Sequence, residues 1–198
     1  MVGPDPVVVE RELVAGELDC PGCGGELRPW GCAWRWLRDR EGERRVRRRR
    51  GRCRGCRATH VLQPVTTLGR RLDLAVVIGQ ALVWRVLGCG HRRIAGELGL
   101  PATTVRGWLR RFAVRAEPLR VHFTRLAHAL DPALPAVEPR GVGVADALEA
   151  IGVAAAAAVR CLGPAPPWWF AAGATGGWLL GPAPPPAGNT SAPLAAPT

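Results

Sequence analysis

Apolar and polar positions along the chain change period several times. Residues 1–18 form a short lead in which Val7-Val8-Val9 predicts a strand over residues 7–10. From residue 26 to residue 37 the pattern predicts an outgoing strand, residues 39–43 a turn, and residues 44–52 a returning strand. Residues 58–62 add a third strand. Helical periodicity with few breakers then fills residues 70–130. It predicts a buried or half-buried helix over residues 72–87 that stops at Gly88-Cys89-Gly90, a helix pair over residues 91–112, and a further helix over residues 115–130, started or kinked by Pro118. Residues 141–162 are apolar all round and predict a helix buried against something else. Trp168-Trp169-Phe170 and Trp178-Leu179-Leu180 either complete the core or form a surface for a second copy. From about Gly181 the chain is Pro, Ala, Gly, Ser and Thr, a composition expected to be disordered. The fold class expected is α+β, an N-terminal β-hairpin module followed by an all-α bundle and C-terminal helices. The divisions expected are 1–18, 19–65, 70–130, 141–180 and 181–198.

The cysteines change the picture of the hairpin. Cys20-Pro21-Gly22-Cys23 and Cys53-Arg54-Gly55-Cys56 are near copies, and 29 residues separate them. Each reads as a knuckle presenting two thiolates from one tight turn, with Gly22, Gly24 and Gly55 expected to supply positive φ. Two knuckles give four soft ligands, the set that zinc takes at a closed structural site with no position left for water. Cys20, Cys23, Cys53 and Cys56 are therefore the expected ligands of one structural Zn2+. Knuckle, hairpin, knuckle, strand is the layout of a zinc ribbon. A redox pair is the competing reading, but it calls for a single such motif in a βαβ setting. Cys32, Cys89 and Cys161 have no partner at ligand spacing and read as small hydrophobes, and His60 is a spare ligand. Trp34 and Trp36 share one side of the outgoing strand, where the expectation is the ribbon's small core and the alternative is a surface that stacks on bases.

Charge bears on partners. The formal net charge is +11 and all 27 basic residues are arginine. A GC-rich genome accounts for part of that bias, but guanidinium groups also suit phosphates and guanine edges. Between Arg38 and Arg57 there are eleven arginines against three acids. On a strand such a run covers both faces, and its self-repulsion favours a polyanionic partner. Arg47 and Arg49 are the candidate phosphate contacts there. The N-terminus has no secretory pattern, and the longest apolar stretch carries Asp146 and Glu149, so neither export nor a membrane span is expected. The expected setting is the cytoplasm, in association with the nucleoid.

Residues 91–112 have the features of a helix-turn-helix. Ala95 is small where two helices would cross, and Gly99 falls where the turn needs positive φ. Ile94, Leu98, Val105, Trp108 and Leu109 are placed to face inward. Left outside on the second helix are Thr103, Thr104, Arg106, Arg110 and Arg111, among others. In such a motif the start of that helix reads base edges in the major groove. Arg106 is the candidate for guanine, Thr103 and Thr104 for thymine methyl groups or phosphates, and Arg92, Arg93, Arg110 and Arg111 for phosphates.

Cys20-Pro21-Gly22-Cys23-Gly24-Gly25-Glu26-Leu27-Arg28-Pro29-Trp30-Gly31, Cys53-Arg54-Gly55-Cys56-Arg57-Ala58-Thr59-His60-Val61-Leu62-Gln63-Pro64, Gly90-His91-Arg92-Arg93-Ile94-Ala95 and Thr104-Val105-Arg106-Gly107-Trp108-Leu109-Arg110-Arg111-Phe112 together resemble a family of small helix-turn-helix proteins of unknown function from high-GC bacteria. The same head, about residues 18–130, resembles the N-terminal DNA-binding region of insertion-sequence transposases. That resemblance implies zinc at the four cysteines and a link to mobile DNA. It does not extend to catalysis, which in such enzymes needs three carboxylates on a ribonuclease-H-like sheet to hold two metal ions. After residue 112 the acids are Glu117, Asp131, Glu138, Asp146 and Glu149, none in a strand pattern, and the length left is short and rich in Ala and Pro. The expected protein is not an enzyme. It is a DNA-binding regulator or a transposition-associated targeting protein, with DNA and a second copy of itself through the C-terminal helices as partners. An RNA-binding adaptor and an inactive transposon relic are the alternatives.

Overall fold

The computed structural model describes residues 1–39, 41–135 and 138–181, so the tail expected beyond Gly181 lies outside the described residues. The chain runs α1 (Pro6–Ala15), β1 (Leu27–Arg38), β2 (Glu43–Cys53), β3 (Thr59–Val61), α2 (Ala75–Val86), α3 (His91–Leu98), α4 (Ala102–Leu130), α5 (Gly143–Leu162) and α6 (Pro167–Ala174). The three strands form one antiparallel sheet in the order β1-β2-β3. The fold is α+β, as expected.

The first correction is at the N-terminus, where a helix stands in place of a strand. Asp5 accepts a hydrogen bond from the Val7 backbone N–H at 2.8 Å, Pro6 occupies the first turn, and Gly16 closes the helix at φ 81. Both end signals outweigh the β preference of three valines. The helix then places Val9 and Leu13 one turn apart against the sheet, where they pack with Cys20, Leu27, Cys53 and Leu62. Gly51 makes room: a β-carbon there would lie 3.2 Å from Leu13.

β1 and β2 pair from Leu27↔Cys53 to Arg38↔Glu43, with a bulge at Trp30. Leu27, Cys32, Trp34 and Trp36 share one face with Cys53, Arg49, Arg47 and Arg45, while Ala33, Arg35 and Leu37 share the other with Arg48, Val46 and Arg44. The end of the hairpin is fixed to the helical part by Arg38, whose N–H donates to the Leu72 carbonyl at 2.8 Å. That bridge is why α2 starts at Ala75 rather than at residue 72.

The helical core is one buried cluster that includes Leu68, Ile78, Leu82, Ile94, Val105, Trp108, Phe112, Phe123, Ile151, Phe170 and Leu180. A second correction concerns α4, which is continuous over 29 residues with Pro118 inside it. A proline removes one ladder bond and crowds the carbonyl four residues back. Pro118 is exposed and so is Val114, the residue whose carbonyl loses its partner, which leaves that group accessible to water. α5 lies parallel to α4: Gly143 stands beside Ala116, and Arg160 pairs with Asp131 at 2.7 Å beyond the far end. Its buried face is Ile151 flanked by Ala147, Ala150, Ala154, Ala155 and Ala158, whose small side chains let the helices approach closely. α5 and α6 contribute buried side chains to the same core as the helix pair, the first of the two readings given for the C-terminal aromatics. Among the described residues no helix is long and apolar enough to cross a membrane.

Candidate metal centre and basic surface

The two knuckles meet at the base of the hairpin. The sulfurs of Cys20, Cys23, Cys53 and Cys56 all lie within 4.8 Å of one another. Cys20 and Cys56 are 3.7 Å apart, and Cys23 and Cys53 are 3.4 Å apart. Four thiolates at about 2.3 Å from a zinc ion stand roughly 3.8 Å from each other in a tetrahedron, so the spacing and the donor set fit such an ion. Cys20 and Cys53 are buried and Cys23 and Cys56 exposed, with the apolar cluster of α1 behind the buried pair. Four soft donors would complete a tetrahedral coordination sphere around such an ion.

The thiols also influence one another. Cys23 is lowered to about 6, first by the Gly25 backbone N–H and then by hydrogen bonding to Cys53 and Cys56. For Cys56 the Ala58 backbone N–H pulls down, but the thiols of Cys23, Cys20 and Cys53 outweigh it and the group rises to about 11. A proton shared among crowded sulfurs behaves in this way, and a divalent cation displaces such protons. His60 Nε2 lies 3.3 Å from Cys20 Sγ, so the spare imidazole abuts a ligand sulfur.

The knuckle backbone corrects an expectation. Of the three glycines, only Gly24 has positive φ, at 69°. The equivalent position after the second knuckle is Arg57, at φ 66. The left-handed residue is thus the one directly after the second cysteine of each pair. Gly25 matters for space instead: a β-carbon there would stand 3.1 Å from Cys53 Sγ and 3.3 Å from Cys23 Sγ, whereas one at Gly55 would make ordinary contact.

The tryptophans give a further correction. Trp30, Trp34 and Trp36 are 54, 55 and 54 % exposed and form no core. The apolar side chains of α1 fill the role expected of them. Arg45 lies over the Trp34 ring at 4.9 Å from its centroid, and Arg52 over Trp30 at 4.4 Å. Cys32 is not an ordinary small hydrophobe either. Arg47 Nε donates to its sulfur at 2.7 Å and Arg49 at 3.3 Å, which lowers the thiol's pKa. Arg49 also pairs with Glu10 of α1 at 2.5 Å, so its charge is already met within the fold, whereas Arg47 is exposed.

On the opposite face of the hairpin, cations crowd together. Arg35 donates to the Arg71 carbonyl. Arg35, Arg48 and Arg71 are each lowered, first by desolvation, with Arg48 adding to the effect on Arg35 and Arg111 to that on Arg71. A row of guanidinium groups therefore runs from the hairpin through Arg71 to Arg111 on α4. Sequence reasoning did not single out Arg35 or Arg71, because only the docking of the hairpin on the helices brings them into line with α4.

The helix pair has the geometry expected of it. α3 ends at Gly99, φ 64, with the Leu100 N–H returning to the Ala95 carbonyl at 2.9 Å. Ile94, Ala95, Val105 and Trp108 are buried, and Leu98 and Leu109 pack partly buried against them. Thr103, Arg106, Arg110 and Arg111 on α4 are exposed, as are Arg92 and Arg93 on α3, while Thr104 is half-buried. None of these six charged or polar exposed side chains joins an ion pair among the described residues. A shallow cleft beside them is bordered by Arg85, Gly90, His91, Arg106, Leu109 and Arg110. Arg85 is a further cation that sequence reasoning missed, since it closes α2 and meets the others only in three dimensions.

Comparison of the chain with protein-family models, with curated proteins and with solved structures finds no match to any of them.

Proposed function

We propose that the chain is a DNA-binding protein in which a structural zinc ion organises a basic β-hairpin and α3–α4 act as a helix-turn-helix. The observation that carries this reading is the exposed side of α4, where Thr103, Arg106, Arg110 and Arg111 project without carboxylate partners among the described residues. Arg106 is the residue assigned to a guanine edge, Thr103 and Thr104 to thymine or phosphate, and Arg92, Arg93, Arg110 and Arg111 to phosphates. Arg85 joins the phosphate contacts in this reading, and the row through Arg71 extends the positive track toward the hairpin.

The reading assigns no catalytic step to the chain. The carboxylates of its C-terminal half are dispersed on or next to helices and engaged locally: Glu117 with Arg120, Asp131 with Arg160, and Glu149 with Arg140. A regulator of transcription or a targeting component of a transposition system fits this description. Self-association through outward-facing parts of α5 and α6 would double the footprint on a two-fold symmetric site.

The test is selection from a random duplex library with zinc-loaded protein at two salt concentrations. An enriched motif that is lost with Arg106→Ala supports readout by α4. Binding that is only salt-sensitive, without a motif, overturns helix-turn-helix readout and makes structured RNA the next ligand to examine.

A further inference from the structure

We propose that the face of the hairpin carrying Trp34 and Trp36 is a stacking platform for unpaired bases of single-stranded DNA, with Arg45 and Arg47 holding its phosphates. The proposal rests on the reading of the chain as a DNA-binding protein and adds a second form of DNA to it.

The two indoles occupy alternate positions of one strand, on one face, and each is more than half exposed. Alternate residues of a strand stand ~6.8 Å apart, about twice the rise of stacked bases. Trp34 remains 55 % exposed even with the Arg45 guanidinium over its ring. Across the ladder, Arg47 faces Trp34 and Arg45 faces Trp36. Aromatic platforms alternating with cations are the composition of surfaces that bind single strands through stacking and phosphate contacts.

The local charge pattern favours a polyanion. Carboxylates gather at the hairpin tip, where Asp39 pairs with Arg44 at 3.3 Å and Glu43 lies 3.6 Å from Arg38. Glu10 meets Arg49 at the other end of the face. Between them, Arg45 and Arg47 have no carboxylate partner among the described residues, and Arg47 meets only the Cys32 sulfur through its Nε at 2.7 Å. An indole has one N–H donor and a broad apolar face, so it is suited to base planes, which a duplex keeps hidden and a single strand presents. The hairpin is also anchored at both ends, by α1 at its base and by Asp73 at its tip.

The experiment measures anisotropy of a labelled oligothymidylate and of a labelled duplex titrated with the zinc-loaded full chain. The double variant W34A/W36A is expected to lose oligothymidylate affinity by about thirtyfold or more, the product of two stacking contacts each worth at least about fivefold, with duplex affinity changed by less than about threefold. W34F/W36F is expected to keep most of the affinity while losing the tryptophan quenching that the single strand causes. That pair of readouts decides the matter even if the alanine variant fails to retain zinc. Unchanged oligothymidylate affinity in W34A/W36A, or equal losses on both DNAs, overturns the proposal. So does a parent dimer that becomes a monomer in W34A/W36A by sedimentation, since a second copy then covers the face. Tryptophan-dependent single-strand binding without any duplex motif overturns the helix-turn-helix reading alone, and loss of the motif in R106A with intact oligothymidylate binding separates the two surfaces.

Discussion

Arg38 Nε donates to Asp73 Oδ1 at 2.7 Å across the seam between the hairpin and the helices. Asp73 is 3 % exposed, and the same two residues form a backbone bridge, so side chain and main chain fix the hairpin at one point. The guanidinium also reaches toward Glu43. Arg38→Ala leaves a buried carboxylate without its cation and is expected to cost about 3 kcal/mol in chemical denaturation, the low end for a broken buried pair because Arg38 retains some contact with solvent. Asp73→Asn keeps an acceptor and is expected to cost about 1 kcal/mol. Equal stability of Arg38→Ala and the parent would remove the seam from the account.

Zinc content provides the second check. One ion per chain is expected by elemental analysis, lost in Cys20→Ser or Cys53→Ser and kept in Cys89→Ser and Cys161→Ser. Chelation should abolish the β signal in far-ultraviolet circular dichroism while the helical signal persists. The reason is that the cluster behind the knuckles and the core around Phe112 and Phe123 are separate. Retention of metal by both ligand variants would contradict the four-cysteine centre.

The knuckles allow a paired test of backbone conformation. Gly24→Ala places a β-carbon at φ 69 and is expected to cost about 1 kcal/mol, whereas Arg57→Gly relieves the same conformation at φ 66 and is expected to be neutral or stabilising by up to about 1 kcal/mol. Thermal denaturation of the zinc-loaded variants reads both. The prediction fails if the signs are reversed.

Cys32 should stand out among the cysteines that are not ligands. Hydrogen bonds from Arg49 and Arg47 hold its thiol below the ordinary range, so the thiolate persists to lower pH than at an unassisted cysteine. In zinc-loaded protein, iodoacetamide at neutral pH should label Cys32 ahead of Cys89, as read by peptide mapping. Arg47→Ala with Arg49→Ala should move the pH profile of that labelling upward, because removing the cations returns the pKa toward its usual value.

Which parts of this architecture were legible in the chain follows from how local their causes are. The knuckles, the hairpin and the turn at Gly99 are set by residues within a few positions of one another, and each was readable from spacing. The helix at Pro6–Ala15 was readable in principle, because Asp5-Pro6 and Gly16 are its caps, but three consecutive valines favour the opposite reading. The exposure of Trp34 and Trp36 was not readable. It depends on Val9 and Leu13 arriving from outside the ribbon to fill its core, which is a tertiary event. The row from Arg35 to Arg111 likewise exists only because Leu72 and Asp73 bind the end of β1. Pro118 misled for the same kind of reason: its cost in a helix depends on whether the freed carbonyl meets solvent.

The parallel arrangement of α4 and α5 has a consequence for synthesis. Phe123 packs at a tilt against Phe170 with ring centroids 6.2 Å apart, and Arg115 donates to the Gly181 carbonyl, so the helix that carries Arg106 is braced by segments made long after it. During translation the two knuckles and the apolar cluster behind them can assemble as soon as Leu62 emerges, since that cluster needs nothing later. The α3–α4 pair has no such independence. Its apolar side stays uncovered until α5 and α6 leave the ribosome, and the nascent chain passes through a stage with its cysteine knuckles assembled and its helix pair still open.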